Sequence, residues 1–121
     1  MHYNGELTCA IGVTDIKRAI DWYQSVLDFK LLYHAEAVAW GELSTGVANV
    51  TLGLGQVETV PQGGGATLVW GVTDIVAAKA ELEAKGVRTA GEIEHIPGLV
   101  KLLDFYDPDG NAMKIFEADQ P

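Results

Sequence analysis

The chain has 121 residues, 48% of them hydrophobic, with 17 acidic against 8 basic side chains and a net charge of −9. One core can be buried at this length but not two independent ones, and the composition excludes a disordered or collagenous chain. Eight scattered Lys and Arg give no basic stripe for phosphates, so nucleic acid is excluded as a partner. No apolar run reaches the roughly 20 residues of a membrane span, and the N-terminal MHYNGELT lacks a basic region followed by an apolar one. The expectation is a cytoplasmic protein with no membrane partner.

From Glu6 to Val13 the residues alternate, with Leu7, Cys9, Ile11 and Val13 on one face, which predicts a half-buried strand. Cys9 is the lone cysteine, so no intrachain disulfide forms, and its apolar neighbours predict a small buried hydrophobe. Asp15 then stands as a helix N-cap before Ile16, Ala19, Ile20, Tyr23, Val26 and Leu27 at helical spacing. After Asp28, the stretches FKLLYHA, AVAWGEL and ANVTLGLG, separated by turn formers, predict a three-strand meander. This is a βαβββ module over about residues 5–54.

Residues 55–65, GQVETVPQGGG, lack a hydrophobic period and predict a linker. A second module over about 66–118 repeats the plan: strand ATLVWGV, N-cap Asp74, a helix face of Ile75, Ala78 and Leu82, a stop at Gly86, and further short strands. Between its last two strands lies DPDGN, residues 107–111, in which Pro108 fixes φ and Gly110 accepts a positive φ, as a hairpin turn requires. The pentapeptide GVTDI occurs at 12–16 and again at 71–75, marking the same strand end and helix cap twice. A repeat of half the chain length points to duplication.

The stretches VTDIKRAIDWYQSVLDF (13–29), VTDIVAAKAELEAKGV (72–87) and FYDPDGNAMKIFE (105–117) carry a resemblance that spans nearly the whole chain. They are similar to the vicinal oxygen chelate superfamily, which includes glyoxalase I, extradiol dioxygenases and the bleomycin and fosfomycin resistance proteins. The resemblance implies an α+β fold, a single domain of two βαβββ modules forming a cupped mixed sheet with helices on the outside. It also implies a homodimer. LDF stands at 27–29 where the family pattern has LGF, and Asp tolerates the left-handed region, so a positive φ is expected at Asp28.

Metal-using relatives hold a divalent ion with one residue from the first strand and one from the last strand of each module. By spacing from the two caps and from the Gly110-Asn111 turn, the corresponding positions are Thr8, Thr67 and Lys114, with Thr51 matched to Lys114 by alternation. Three hydroxyls and an ammonium do not make a divalent site, so no metal cofactor is expected. His2, His34 and His95 lack ligand spacing and are expected at the surface or in loops.

Lys114 is either a snorkelling side chain or a cation awaiting an anionic oxygen, with Met113 and Ile115 on the core face. Trp40 and Phe116 are packing residues or stacking surfaces for a flat ligand. Glu42 shares Trp40's face and is a solvated carboxylate, a partner for Lys114 or a base. The expected function is a glyoxalase/bleomycin-resistance-like protein that binds a small organic molecule with Thr8, Trp40, Thr51, Thr67, Lys114 and Phe116. The alternative is a lyase, isomerase or dioxygenase using a relocated metal, or Lys114 and Glu42 as weak catalytic candidates.

Overall fold

In the computed structural model, residues 1–63 and 65–120 are described; Gly64, within the expected linker, lies outside them. The elements run β1 (Leu7–Val13), α1 (Ile16–Leu27), β2 (Lys30–Ala35), a 3₁₀ turn (Glu36–Val38), β3 (Trp40–Ser44), β4 (Val50–Gln56), β5 (Leu68–Gly71), α2 (Ile75–Ala84), β6 (Thr89–Ile96), β7 (Val100–Tyr106) and β8 (Ala112–Ala118). They fall into two compact units, Met1–Pro61 and Gln62–Pro121, each a βαβββ module. Each has its own four-stranded mixed sheet, ordered β1-β4-β3-β2 and β5-β8-β7-β6. The α+β architecture of two βαβββ modules is as expected, the strands lying in two four-stranded mixed sheets. The sheets are mixed because each module's first strand pairs in parallel with that module's own last strand. Among the described residues no helix is long and apolar enough to cross a membrane.

In the first module, the Asp15 carboxylate accepts a hydrogen bond from the Arg18 N–H at 3.1 Å and so starts α1 where the sequence predicts. The helix buries Ile16, Ala19, Ile20, Tyr23 and Val26, and the sheet supplies Leu43, Leu52 and Leu54, all fully buried. Tyr23 stacks nearly parallel to Phe29, with 6.0 Å between ring centroids. Gly41 lets the sheet approach this helix, since a Cβ there would lie 3.1 Å from Ile20 Cδ1. Leu7, placed on the same strand face by alternation, is 58% exposed, because burial along β1 grows only toward Val13.

The helix ends as expected: Asp28 has φ 60° and ψ 25°, and its N–H donates to the Tyr23 carbonyl. A left-handed residue with a Cβ costs energy that glycine avoids. Asp28→Gly is therefore expected to gain about 0.5 kcal/mol and Asp28→Val to lose about 1 kcal/mol. Urea unfolding midpoints check both, and an unchanged midpoint for the valine variant would contradict the assignment.

In the second module, Asp74 accepts from the Ala77 N–H at 3.1 Å, and α2 buries Ile75 and Leu82. Gly86 takes φ 73°, and the Val87 N–H closes on the Leu82 carbonyl at 3.0 Å. The duplication extends to a detail outside the repeated pentapeptide. Ile16 N–H donates to Gln56 Oε1 at 3.1 Å, and Ile75 N–H donates to Glu117 Oε1 at 2.9 Å. In both modules the last strand thus reaches back to satisfy an orphan N–H at the helix start.

Two boundaries differ from expectation. β4 runs on through Gly55 and Gln56, held in register by Gly12 and Val13 of β1, so these two residues are strand rather than linker. β5 begins only at Leu68, which leaves Ala66 and Thr67 ahead of it.

Candidate functional site

Each sheet has one face under its helix and one face away from it, and alternation assigns the side chains. In the first module Thr8, Thr51, Trp40, Glu42 and Gly53 share the face away from α1. Thr8 is the register partner of Thr51, and Glu42 that of Gly53. The hydroxyls of Thr8 and Thr51 hydrogen-bond to each other at 3.0 Å.

Trp40 lies flat on the sheet over two glycines. A Cβ added at Gly53 would sit 2.1 Å from its Cζ2, and one at Gly55 would meet its Cε3 at 3.7 Å. Only glycine at 53 leaves room for the indole. Its Nε1–H donates to Glu42 Oε1 at 3.3 Å, and Tyr33 Oη donates to the same oxygen at 3.2 Å. The carboxylate is thus pinned between two aromatic side chains. Beside it is a hollow of about 380 Å³ lined by Glu6, Thr8, Glu42, Asn49 and Thr51 among others.

In the second module, Met113 and Ile115 are buried, while Lys114 and Phe116 take the face away from α2. Lys114 stands opposite Asp104 in the β7–β8 register and its ammonium donates to Asp104 Oδ1. Phe116 packs over Gly71, where a Cβ would lie 3.0 Å from its Cζ. Arg88 sits 3.9 Å above the Tyr106 ring. Thr67 is exposed and precedes the strand.

The register corrects one correspondence. β1 and β5 are offset by 59 residues, but Ala10 pairs with Gly53 and Val69 with Lys114, so β4 and β8 are offset by 61. The counterpart of Lys114 is therefore Gly53, and that of Thr51 is Ala112. A hydroxyl pair like Thr8–Thr51 cannot form in the second module. Sequence reasoning also passed over Asp104 and Tyr33. Counting outward from the centre of DPDGN finds Asp104, because residues paired across a hairpin keep a constant sum; Tyr33 is hidden by a β-bulge between Leu31 and Tyr33.

His95 is exposed, as expected, and lies in β6; its Nε2 is 2.8 Å from Asp119 Oδ2, which also accepts from the Gly98 N–H at 2.9 Å. The His95 hydrogen bond, helped by Gly98, holds the Asp119 carboxyl below its ordinary value of 3.8. A depressed carboxyl stabilises the fold above its unfolded value and loses that contribution as pH falls through the folded one. Removing His95 (His95→Ala) is expected to raise the Asp119 value toward 3.8 in a carboxyl-carbon NMR titration, and no movement would contradict the pairing.

A family model for the Glyoxalase/Bleomycin resistance protein/Dioxygenase superfamily matches residues 7–115. The chain belongs to this superfamily. No curated protein sequence matches it. Among solved structures it is similar to TnmS3, an antibiotic binding protein from Streptomyces sp. CB03234, with 26% identity, a TM-score of 0.81 and coverage of 98% of this chain and 99% of that one. A superfamily member from Sphaerobacter thermophilus DSM 20745 shares 24% identity at a TM-score of 0.80, covering 97% and 98%. The fosfomycin resistance protein FosX from Listeria monocytogenes shares 12% identity at a TM-score of 0.82, covering 98% and 96%. The last two likenesses concern the fold alone.

The superfamily's divalent metal does not fit the side chains at the positions the resemblance assigns to it. Thr8 spends its hydroxyl on Thr51, Gly53 at the true counterpart of Lys114 has no side chain, Thr67 offers one neutral oxygen, and Lys114 brings a positive charge already matched by Asp104. Among the described residues no three His, Cys, Asp or Glu side chains gather into a possible metal site. Hard or borderline cations need several anionic or imidazole donors converging on one point.

Proposed function

We propose that this chain binds a small organic molecule on the open face of its first module without a divalent metal, in the manner of the superfamily's binding and resistance proteins rather than its enzymes. The observation that carries this is the Trp40 indole laid over Gly53 and Gly55 beside a hollow edged by Glu42, Thr8 and Thr51. A flat apolar plate next to a few fixed polar groups is the usual make-up of a small-ligand site. The likeness to an antibiotic binding protein supports the same reading. An acid–base role would need Lys114 freed from Asp104, or Glu42 freed from Tyr33 and Trp40.

The test is a titration of labelled protein with planar organic compounds, following the indole N–H resonance of Trp40, assigned with Trp40→Phe. Saturable shifts at Trp40 support the proposal, and a panel that moves only other resonances contradicts it. The protein acts in the cytoplasm as a homodimer on this account, its exposed Leu7, Leu32 and Val69 being strand side chains that a second chain would cover. Sedimentation showing monomer alone at roughly tens of micromolar contradicts the dimer.

A further inference from the structure

We infer that the ligand of the Trp40 face is an organic cation: a flat ring bearing a permanent positive charge, its ring on the indole and its charge turned toward Glu42 and Glu6. The inference rests on the binding reading above and specifies its ligand class.

The two modules treat the carboxylate on their open faces in opposite ways. In the second, Asp104 is neutralised by Lys114 directly across the strand pair. In the first, the position equivalent to Lys114 is Gly53, so the carboxylate opposite it, Glu42, has no cation across the strand. Its partners are two neutral donors, Tyr33 Oη and Trp40 Nε1, both on Oε1. Neutral hydrogen bonds orient a carboxylate but leave its charge in place.

The hollow beside it adds Glu6, whose Oε2 accepts from Asn4 Nδ2 at 3.1 Å, again a neutral donor. Among the described residues no Lys or Arg lines the hollow. Two carboxylates at one recess, in a chain of net charge −9, set up a negative potential that draws cations and turns anions away. The Trp40 plate adds a second attraction of the same sign, since the face of an indole is the best aromatic surface for a cation. The glycines under the ring matter here. They hold the indole flat on the backbone, which turns its other face away from the sheet. A neutral ring would gain from the plate alone, whereas a ring with a fixed positive charge gains from the plate and the carboxylates together.

Three probes of similar size separate these contributions: N-methylquinolinium (cation), quinoline (neutral at pH 7.5) and 2-naphthoate (anion), each titrated by the Trp40 indole N–H shift at low ionic strength. N-methylquinolinium is expected to bind about tenfold more tightly than quinoline, with 2-naphthoate weakest and the cation's advantage shrinking as salt rises. Glu42→Gln keeps an oxygen for Tyr33 and Trp40, so it preserves the plate. It is expected to cut the cation's advantage over quinoline severalfold, and Glu6→Gln added to it should remove the rest. Equal binding of cation and neutral probe, or a cation preference that survives in the double variant, overturns the inference while leaving the binding reading intact. No Trp40 shift with any of the three overturns both.

Discussion

Replacing Gly53 by alanine is expected to abolish ligand binding at the Trp40 face and to destabilise the protein by about 1 to 3 kcal/mol, the cost of overpacking a fitted contact. The new methyl would lie 2.1 Å from Trp40 Cζ2 and 2.3 Å from Cη2, so the indole must leave its place on the sheet. In leaving, it gives up the Nε1–H bond to Glu42 and the plate is lost. Nothing in the backbone forbids alanine there, because Gly53 is not among the glycines with positive φ. The double variant Gly53→Ala with Trp40→Ala therefore separates the two effects: the clash is gone and most of the stability returns, while binding stays absent. Denaturant unfolding and the ligand titration check the pair, and additive stability losses in the double variant would show that the clash is not the cause.

The second large effect is expected at Asp107. This carboxylate is 5% exposed and organises the hairpin turn: Oδ1 accepts from the N–H groups of Asp109 at 2.9 Å and Asn111 at 2.8 Å, and Oδ2 from Asn111 Nδ2 at 2.8 Å. Removing it (Asp107→Ala) strips several charge-assisted bonds at once and is expected to cost about 2 to 3 kcal/mol. Asp107→Asn retains one accepting oxygen and should lose less. The turn also sets the register that puts Lys114 opposite Asp104, so amide exchange along β7 and β8 should quicken in the alanine variant. A change below about 0.5 kcal/mol would mean that Pro108 and Gly110 hold the turn without Asp107.

Both effects sit at places the sequence marks incompletely, and the contrast is instructive. The repeated GVTDI locates two strand ends and two caps, because capping and alternation are local and each copy carries its own signal. DPDGN likewise gives its turn from Pro108 and Gly110, although the buried carboxylate that ties it together is visible only in three dimensions. Trp40 and Glu42 were legible as sharing a face; that the indole lies down over Gly53 was not, since it depends on a missing side chain across the strand pair. Alternation matches Thr51 to Lys114 because it fixes the face a residue takes but not its position along the strand. Between the helix and the last strand the second module is two residues longer, so only pairing within each module shows that Gly53 is the true counterpart. The β-bulge that brings Tyr33 to Glu42 is a departure from alternation, which pattern reasoning cannot place.

On the proposed reading the Trp40 face binds its ligand without a divalent metal. The most direct measurement takes protein dialysed against EDTA, titrates it with the tightest compound of the planar panel, and repeats the titration after adding nickel, zinc, manganese or iron in its divalent form. Threonine hydroxyls and a paired lysine give such ions no donor set, so the Trp40 shift and the affinity should be the same in every titration. Binding that appears only after metal is added would contradict the claim.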